Sequence, residues 1–376
     1  MPKTAIDLLA DQHQRSHGIL TGSGTSALIL SLWALGLRGK TVAIPNGVCY
    51  SVPMAVYLSG NKPMYVDLDL DTLSLGITEF EKWRSYDAVI AVHNYGARCH
   101  IEALNRFCAD HKVPLIEDCC VSLGAKDIGH WGDLSVFSFG SGKILDAGGG
   151  GAILGDDARL LQTAHLLQQS FGPRDGMFNA EAALSMAHTA LYNQHYATSR
   201  RKLVVFKSMV DLMGPRTLWS PGFMQQHGIL YDLLPKLWHI VGERERKWQY
   251  LHDELKDVVD IFIPPEGSVH WRFNCFIEKD RDGLMHHLQA KGYNASSWHA
   301  PGDLFFEQGS RCGSFDWLDQ MLVEKPNYND AWAYWPVTDW VADHILNLWV
   351  DQAADEDYLK GVVKEVRGWH ATTTSS

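Results

Sequence analysis

The sequence predicts an α/β fold: a large domain around a mixed, mostly parallel sheet, followed by a smaller C-terminal α+β domain. Three observations carry this. Over the first 155 residues, short apolar or β-branched runs alternate with longer stretches of helical periodicity. From about Glu181 to Leu237 the strand signals thin out and helix-length apolar patterns take over. Beyond Gly242 a charged amphipathic stretch leads into a second, shorter set of strand and helix signals.

The strand-like runs of the first part are residues 41–45, 64–66, 88–93, 113–117, 134–139 and 151–154. Helical periodicity falls between them at 25–37, 50–59 and 100–111. The segment 17–20 reads as a poor strand. Residues 180–238 read as a helical insertion that completes a large domain over 1–238. Apolar helices are expected within it at 182–192 and at 229–241. The smaller domain, 239–376, opens with an amphipathic helix over 242–259 that places Trp248, Leu251, Leu255 and Val258 or Val259 on one face. Strand-like runs at 261–264 and 269–277 follow, then a helix near 282–291 and a terminal helix near 356–369. Ligands of such sheets bind outside the carboxyl ends of the strands, so the residues just after each strand are the ones to inspect.

Composition narrows the class of function. The 376 residues are 46% hydrophobic and 20% charged, as in a soluble globular protein. A balance of 33 basic against 44 acidic residues gives a net charge of −11, which disfavours nucleic acid and anionic membrane as partners. No apolar stretch is long enough to cross a bilayer, and the N-terminus carries charges where a signal peptide needs an apolar region. The seven cysteines show no disulfide framework. A cytoplasmic protein is expected. With neither a CxxC pair nor an HExxH, no metal site is expected. His286, His287 and His299 read as surface or packing residues.

Three motifs carry chemistry. GSGTSA at 22–27 opens a helix, and a glycine-rich turn there presents unpaired N–H groups and the positive end of the helix dipole. It suits a phosphate or is an ordinary capped helix. LIEDCC at 115–120 ends an apolar strand in two carboxylates, which suit a metal, a base, a cationic ring nitrogen or a salt bridge. FSFGSGK at 137–143, followed by four glycines at 148–151, delivers Ser138 and then Lys143 in a small-residue turn. A lysine so framed suits a phosphate contact or an imine-forming nucleophile. One cofactor needs all three together, a phosphate cup, a carboxylate beside a pyridinium nitrogen and an imine-forming lysine: pyridoxal 5′-phosphate.

The order and wording of these motifs resemble the DegT/DnrJ/EryC1/StrS family of sugar aminotransferases, within the fold-type I pyridoxal-phosphate enzymes. The matching stretches are 22–28, 44–75, 91–104, 116–125 and 129–154, with weaker likeness at 345–350 and 358–366. The resemblance implies a seven-stranded sheet in the large domain. It implies that Gly24, Thr25 and Ser26 bind phosphate and that Ser138 gives it a hydroxyl. It further implies that Asp118 pairs with the pyridine nitrogen, that Lys143 is the Schiff-base lysine, and that a homodimer places each site near the subunit boundary. The chain departs from many relatives at Cys49, where an aromatic residue covers the cofactor ring. It departs again at Val121, where a glutamine stands near the ring's phenolic oxygen. The asparagine segment that reaches the neighbour's phosphate has no counterpart after Phe171, where Arg174 is a substitute candidate. The implied activity is transfer of an amino group from glutamate or glutamine to a keto-sugar, nucleotide-linked in the family, or to a related ketone. The alternative is elimination, decarboxylation or cyclisation on an amine with the same cofactor. A non-catalytic regulator on this fold has no use for both Asp118 and Lys143, and a nicotinamide dehydrogenase rests only on a loose GxGxxA pattern. Phe305, Phe306, Trp317, Trp332, Tyr334 and Trp335 are candidates for a substrate wall or for packing.

Overall fold

The computed structural model describes residues 3–82, 86–171, 224–299, 301–302 and 335–374. Seven strands form the first sheet: β1 (His17–Thr21), β2 (Thr41–Pro45), β3 (Lys62–Val66), β4 (Ala88–Val92), β5 (Leu115–Asp118), β6 (Leu134–Ser138) and β7 (Gly151–Gly155). Their order is β1-β7-β6-β5-β4-β2-β3, with β7 antiparallel to both neighbours and the remaining pairs parallel. All strands except β7 therefore end at one edge.

The predicted runs are found with ends moved by a few residues. The exception is β1, which reads as a poor strand yet forms five pairs with β7. Its pairing partner β7 lies 130 to 138 residues away and supplies the ladder, from His17↔Gly155 to Thr21↔Gly151. Local propensity is overridden by a partner that a local pattern cannot contain.

Alternation along the buried strands splits the sheet into two faces. On one, Val42, Ile44, Ile90, Ile116, Val136 and Ile153 pack with helices α2 (Gly24–Ala34), α3 (Ser51–Leu58) and α6 (Ala158–Gln168). On the other, Ala43, Val89, Ala91 and Leu115 meet α5 (Ile101–His111), while Phe137, Ala152 and Leu154 meet α1 (Ala5–Gln12). A short helix, α4 (Ile77–Lys82), precedes β4. By the same alternation, Asp118 and Ser138 share the α2 face with Ile116 and Val136, and Glu117 takes the opposite one.

The expected helix at 182–192 lies outside the described residues. That at 229–241 is in fact the end of α7 (Met224–Leu233), a 3-10 turn at Leu234–Lys236, and the start of α8 (Leu237–Leu255). Pro235 stands inside the turn and interrupts the α-helical hydrogen bonding. The amphipathic helix thus begins and ends earlier than its periodicity predicts, leaving Val258 and Val259 beyond its end. A second, antiparallel sheet follows, ordered β10-β11-β9-β8 from β8 (Asp260–Ile261), β9 (Phe273–Phe276), β10 (Ala295–Ser296) and β11 (Ile345–Leu348). Phe273, Cys275, Leu346 and Leu348 form its core with α8, α9 (Arg281–Ala290) and α11 (Glu356–Thr374). Its other face is mixed: Phe276 and Ile345 join the apolar cluster that holds Phe137 and Ala152 of the first sheet, while Asn347 donates to Asn274 Oδ1 at 3.0 Å and accepts from Ser296 Oγ at 2.9 Å.

The two sheets are joined by buried polar contacts. Asp67, just past β3, accepts from the N–H and Oγ of Thr338, at 2.8 and 2.7 Å, in α10 (Pro336–His344). Among the described residues no helix is long and apolar enough to cross a membrane.

Candidate active site

The carboxyl ends of β1, β5 and β6 bring the three motifs together. Across the sheet, Thr21 of β1 and Ser138 of β6 both pair with Gly151 of β7. A Cβ on Gly151 would lie 2.5 Å from the Ser23 carbonyl carbon, so only glycine lets the turn into α2 pass so close. Ser23 caps α2, its Oγ accepting from Ser26 N–H at 3.0 Å. Gly24 opens the helix where a Cβ would meet Cys120 Sγ and Ser138 Cβ at 2.9 Å and Ser138 Oγ at 3.2 Å. The Ser138 hydroxyl therefore stands beside the N-terminus of α2, with Thr25 and Ser26 in the same first turn.

Asp118, the last residue of β5, is buried, and its Oδ1 accepts from Cys120 N–H at 2.9 Å. Among the described residues it forms no ion pair. Lys143, half-buried, lies in the turn beyond Ser138. Asp146 organises that turn, accepting from Gly142 N–H at 3.1 Å and Gly148 N–H at 2.8 Å, while Phe139 O accepts from Ala147 and Gly149. Two neighbours report where the lysine sits. Burial pushes the Cys120 thiol pKa well up and Asp118 pushes it further, while the Lys143 charge opposes them. Burial pulls His299 down to about 3 and Lys143 lowers it too, so its imidazole is neutral. Asp118, Cys120, Lys143 and His299 thus form one electrostatic neighbourhood.

Cys49 follows β2, half-buried, with its thiol 3.4 Å from Ser51 Oγ. Val121 packs at the edge of an apolar cluster beyond β5. Both lie past the same sheet edge. Trp335 is half-buried and caps α10. Arg174, Phe305, Phe306, Trp317, Trp332 and Tyr334 lie outside the described residues. The motifs do not single out Cys120, Tyr95 or His299. Cys120 was legible, since it stands two residues beyond Asp118. His299 had no local signal: it reaches the site because its N–H donates to Tyr95 Oη at 2.7 Å and its ring lies flat toward Trp271.

Glu117 plays a different part. Its carboxylate accepts from Gly129 N–H at 2.6 Å, Trp131 N–H at 2.9 Å, Gly132 N–H at 3.4 Å and His93 Nε2 at 3.0 Å. His93 Nδ1 takes the Cys99 N–H at 3.1 Å, which leaves Nε2 as the protonated nitrogen. Burial would raise the Glu117 pKa; the hydrogen bonds from His93 and the main chain outweigh it and bring it to about 2. His93, Glu117 and Cys119 have ligand atoms within 4.8 Å of one another, but those of His93 and Glu117 are already engaged in this network.

The constellation on the α2 face fits pyridoxal phosphate. A helix N-terminus with a hydroxyl beside it suits the phosphate, and the cradle at Gly24 has no room for a side chain. A buried carboxylate with no ion pair among the described residues suits a protonated ring nitrogen. The model of the DegT/DnrJ/EryC1/StrS aminotransferase family matches residues 7–210. The chain belongs to that family. Among curated family relatives, GDP-perosamine synthase of Escherichia coli O157:H7 is 25% identical over 68% of this chain and 74% of its own length. L-glutamine:2-deoxy-scyllo-inosose aminotransferase of Micromonospora echinospora is 33% identical over 42% of this chain and 40% of its own length. The crystal structure of a DegT/DnrJ/EryC1/StrS aminotransferase from Brucella abortus shares the fold, with a TM-score of 0.72 at 21% identity over 97% of this chain and 89% of that one.

Proposed function

We propose that this protein is a pyridoxal-phosphate aminotransferase that moves an amino group from glutamate or glutamine to a keto-sugar or a closely related cyclic ketone, in polysaccharide or secondary-metabolite biosynthesis. The observation that carries the reading is the gathering of Gly24, Ser138, Asp118 and Lys143 at one sheet edge. The relatives support it by name, since one makes an amino sugar and another aminates an inosose.

When bound, the cofactor supplies an electron sink for the carbanion formed at the substrate's α-carbon. The chain's own residues do the rest. The N–H groups of Gly24, Thr25 and Ser26 and the hydroxyl of Ser138 hold the phosphate. Asp118 keeps a proton on the ring nitrogen, because a buried carboxylate stabilises the cation next to it. Lys143 would hold the cofactor through its amine, and its Nζ would be the base that takes the proton from the substrate's α-carbon. Cys49 and Val121, at the positions that in many relatives stack on the ring and hydrogen-bond its phenolic oxygen, would supply neither contact. That difference favours a second reading, elimination, decarboxylation or cyclisation of an amine on the same site.

The reading includes a large domain over 1–238, a small domain over 239–376, and a cytoplasmic homodimer with its sites near the interface. The unpaired cysteines suit a reducing compartment. Mixing the cofactor-loaded protein with L-glutamate or L-glutamine separates the two chemistries. Transamination predicts loss of the yellow absorbance with one equivalent of the matching 2-oxo acid per subunit. No 2-oxo acid from either donor, with carbon dioxide or a cyclised product from an amine substrate, would establish the second reading.

A further inference from the structure

The turn that carries Lys143 is held from two sides. On the N–H side it holds itself, through Asp146 and the Phe139 carbonyl. On the carbonyl side its partners come from the segment leading into β9 and from α8. Trp271 Nε1–H donates to Gly142 O at 2.8 Å, and Arg244 Nη2 reaches Lys143 O at 3.5 Å. These partners lie 129 and 101 residues further along the chain.

Trp271 is itself locked. Its carbonyl accepts from Arg244 Nη1 at 2.9 Å and from Arg272 Nη1 at 3.0 Å. The Arg272 guanidinium lies between the Trp271 and Trp349 rings, 4.6 and 4.2 Å from their centroids, and 3.5 Å from Asp351. Arg244, Trp271 and Arg272 are each at most 3% exposed. Burying two guanidiniums is costly, and packing alone would be served by apolar residues of similar size. What the arginines provide here is a set of donors aimed at two carbonyls: that of Trp271, which both reach, and that of Lys143, which Arg244 reaches.

We infer that Trp271 and Arg244 are positioning residues for Lys143, clamping the carbonyls of Gly142 and Lys143 so that the amine is held at one place relative to Asp118 and Ser138. The inference rests on the proposed role of Lys143. It adds that the lysine's placement depends on α8 and on the segment leading into β9, not only on the strand that delivers it. The clamp acts through the backbone, so neither residue needs to touch the substrate. A displacement of about 1 Å at such a centre costs roughly 100-fold in rate.

The test is Trp271→Phe, which keeps an aromatic ring and removes the N–H donor, with Arg244→Lys as the companion. Each variant is reconstituted with pyridoxal phosphate. Four quantities are read: the pH midpoint of the bound cofactor's absorption, the rate and the half-saturation of its conversion by L-glutamate or L-glutamine, and the melting temperature without cofactor. A clamp predicts that the pH midpoint moves and the maximal conversion rate falls by roughly 10- to 100-fold. The half-saturation stays within about twofold. A merely structural Trp271 lowers the melting temperature and leaves the midpoint and the rate where they were, which would overturn the inference. If Trp271→Phe does not fold, Arg244→Lys decides by the same readings. Borohydride mapping of the unaltered protein is run first. Cofactor fixed elsewhere than on Lys143 would mean that the functional reading has failed rather than the clamp.

Discussion

Glu117→Gln is nearly isosteric, and its cost follows from the four donors that face the carboxylate. Oε1 takes the Gly129 N–H and His93 Nε2; Oε2 takes the Trp131 and Gly132 N–H groups. An amide offers one oxygen and one NH2, so it can serve only one of these pairs. With the NH2 on the Oε2 side, two main-chain donors are orphaned. On the Oε1 side the Gly129 N–H is orphaned, and the NH2 confronts a His93 that cannot turn acceptor, because its Nδ1 already takes the Cys99 N–H. Two buried donors without partners, at about 1–3 kcal/mol each, give a loss of about 2–6 kcal/mol. Equilibrium urea unfolding at neutral pH measures it. The pH dependence has a definite sign. Glu117 is held at about 2, below its ordinary 4.5, so its contribution is complete above about 4.5 and is lost as pH falls toward 2. The curves of parent and variant should therefore converge in acid. A loss under about 0.5 kcal/mol, or a gap that persists to pH 2, would refute the reasoning.

Three further outcomes follow from the site. Asp118→Asn, one residue away but on the opposite sheet face, should leave cofactor bound and the fold intact while slowing proton removal at the α-carbon by orders of magnitude; turnover near the parent's would show that Asp118 is structural. Ser138→Ala removes one charge-assisted hydrogen bond, worth about 1.5–3 kcal/mol, so cofactor affinity measured by titration should fall by about 10- to 150-fold. Unchanged affinity would assign the phosphate to the main-chain N–H groups of residues 24–26. Sedimentation at micromolar concentration should show a dimer, and a monomer with full cofactor occupancy would place the whole site within one chain.

Much of the first sheet was legible because its signals are local. Runs such as 88–92 are buried on both faces and read as continuous apolar stretches between turns. The site residues were legible for a related reason: Asp118 and Ser138 end strands, and Lys143 sits in a glycine-rich turn, where Gly142, Gly148, Gly149 and Gly150 take positive φ. What could not be read depends on partners far along the chain. The strand β1 exists through β7, and Trp271 meets the Lys143 turn from 129 residues further along the chain. The pair Glu117–Asp118 shows the limit most clearly. The motif names two carboxylates at one strand end, but the sheet face each occupies, and hence which is scaffold and which is site, follows from register with β4 and β6.

The central claim is that Lys143 carries the cofactor. Reconstituting the protein with pyridoxal phosphate, reducing with borohydride and mapping the labelled peptide tests it most directly. The account predicts a yellow protein with one phosphopyridoxyl group per chain, on Lys143. Label on another lysine, or no bound cofactor after reconstitution, would contradict it.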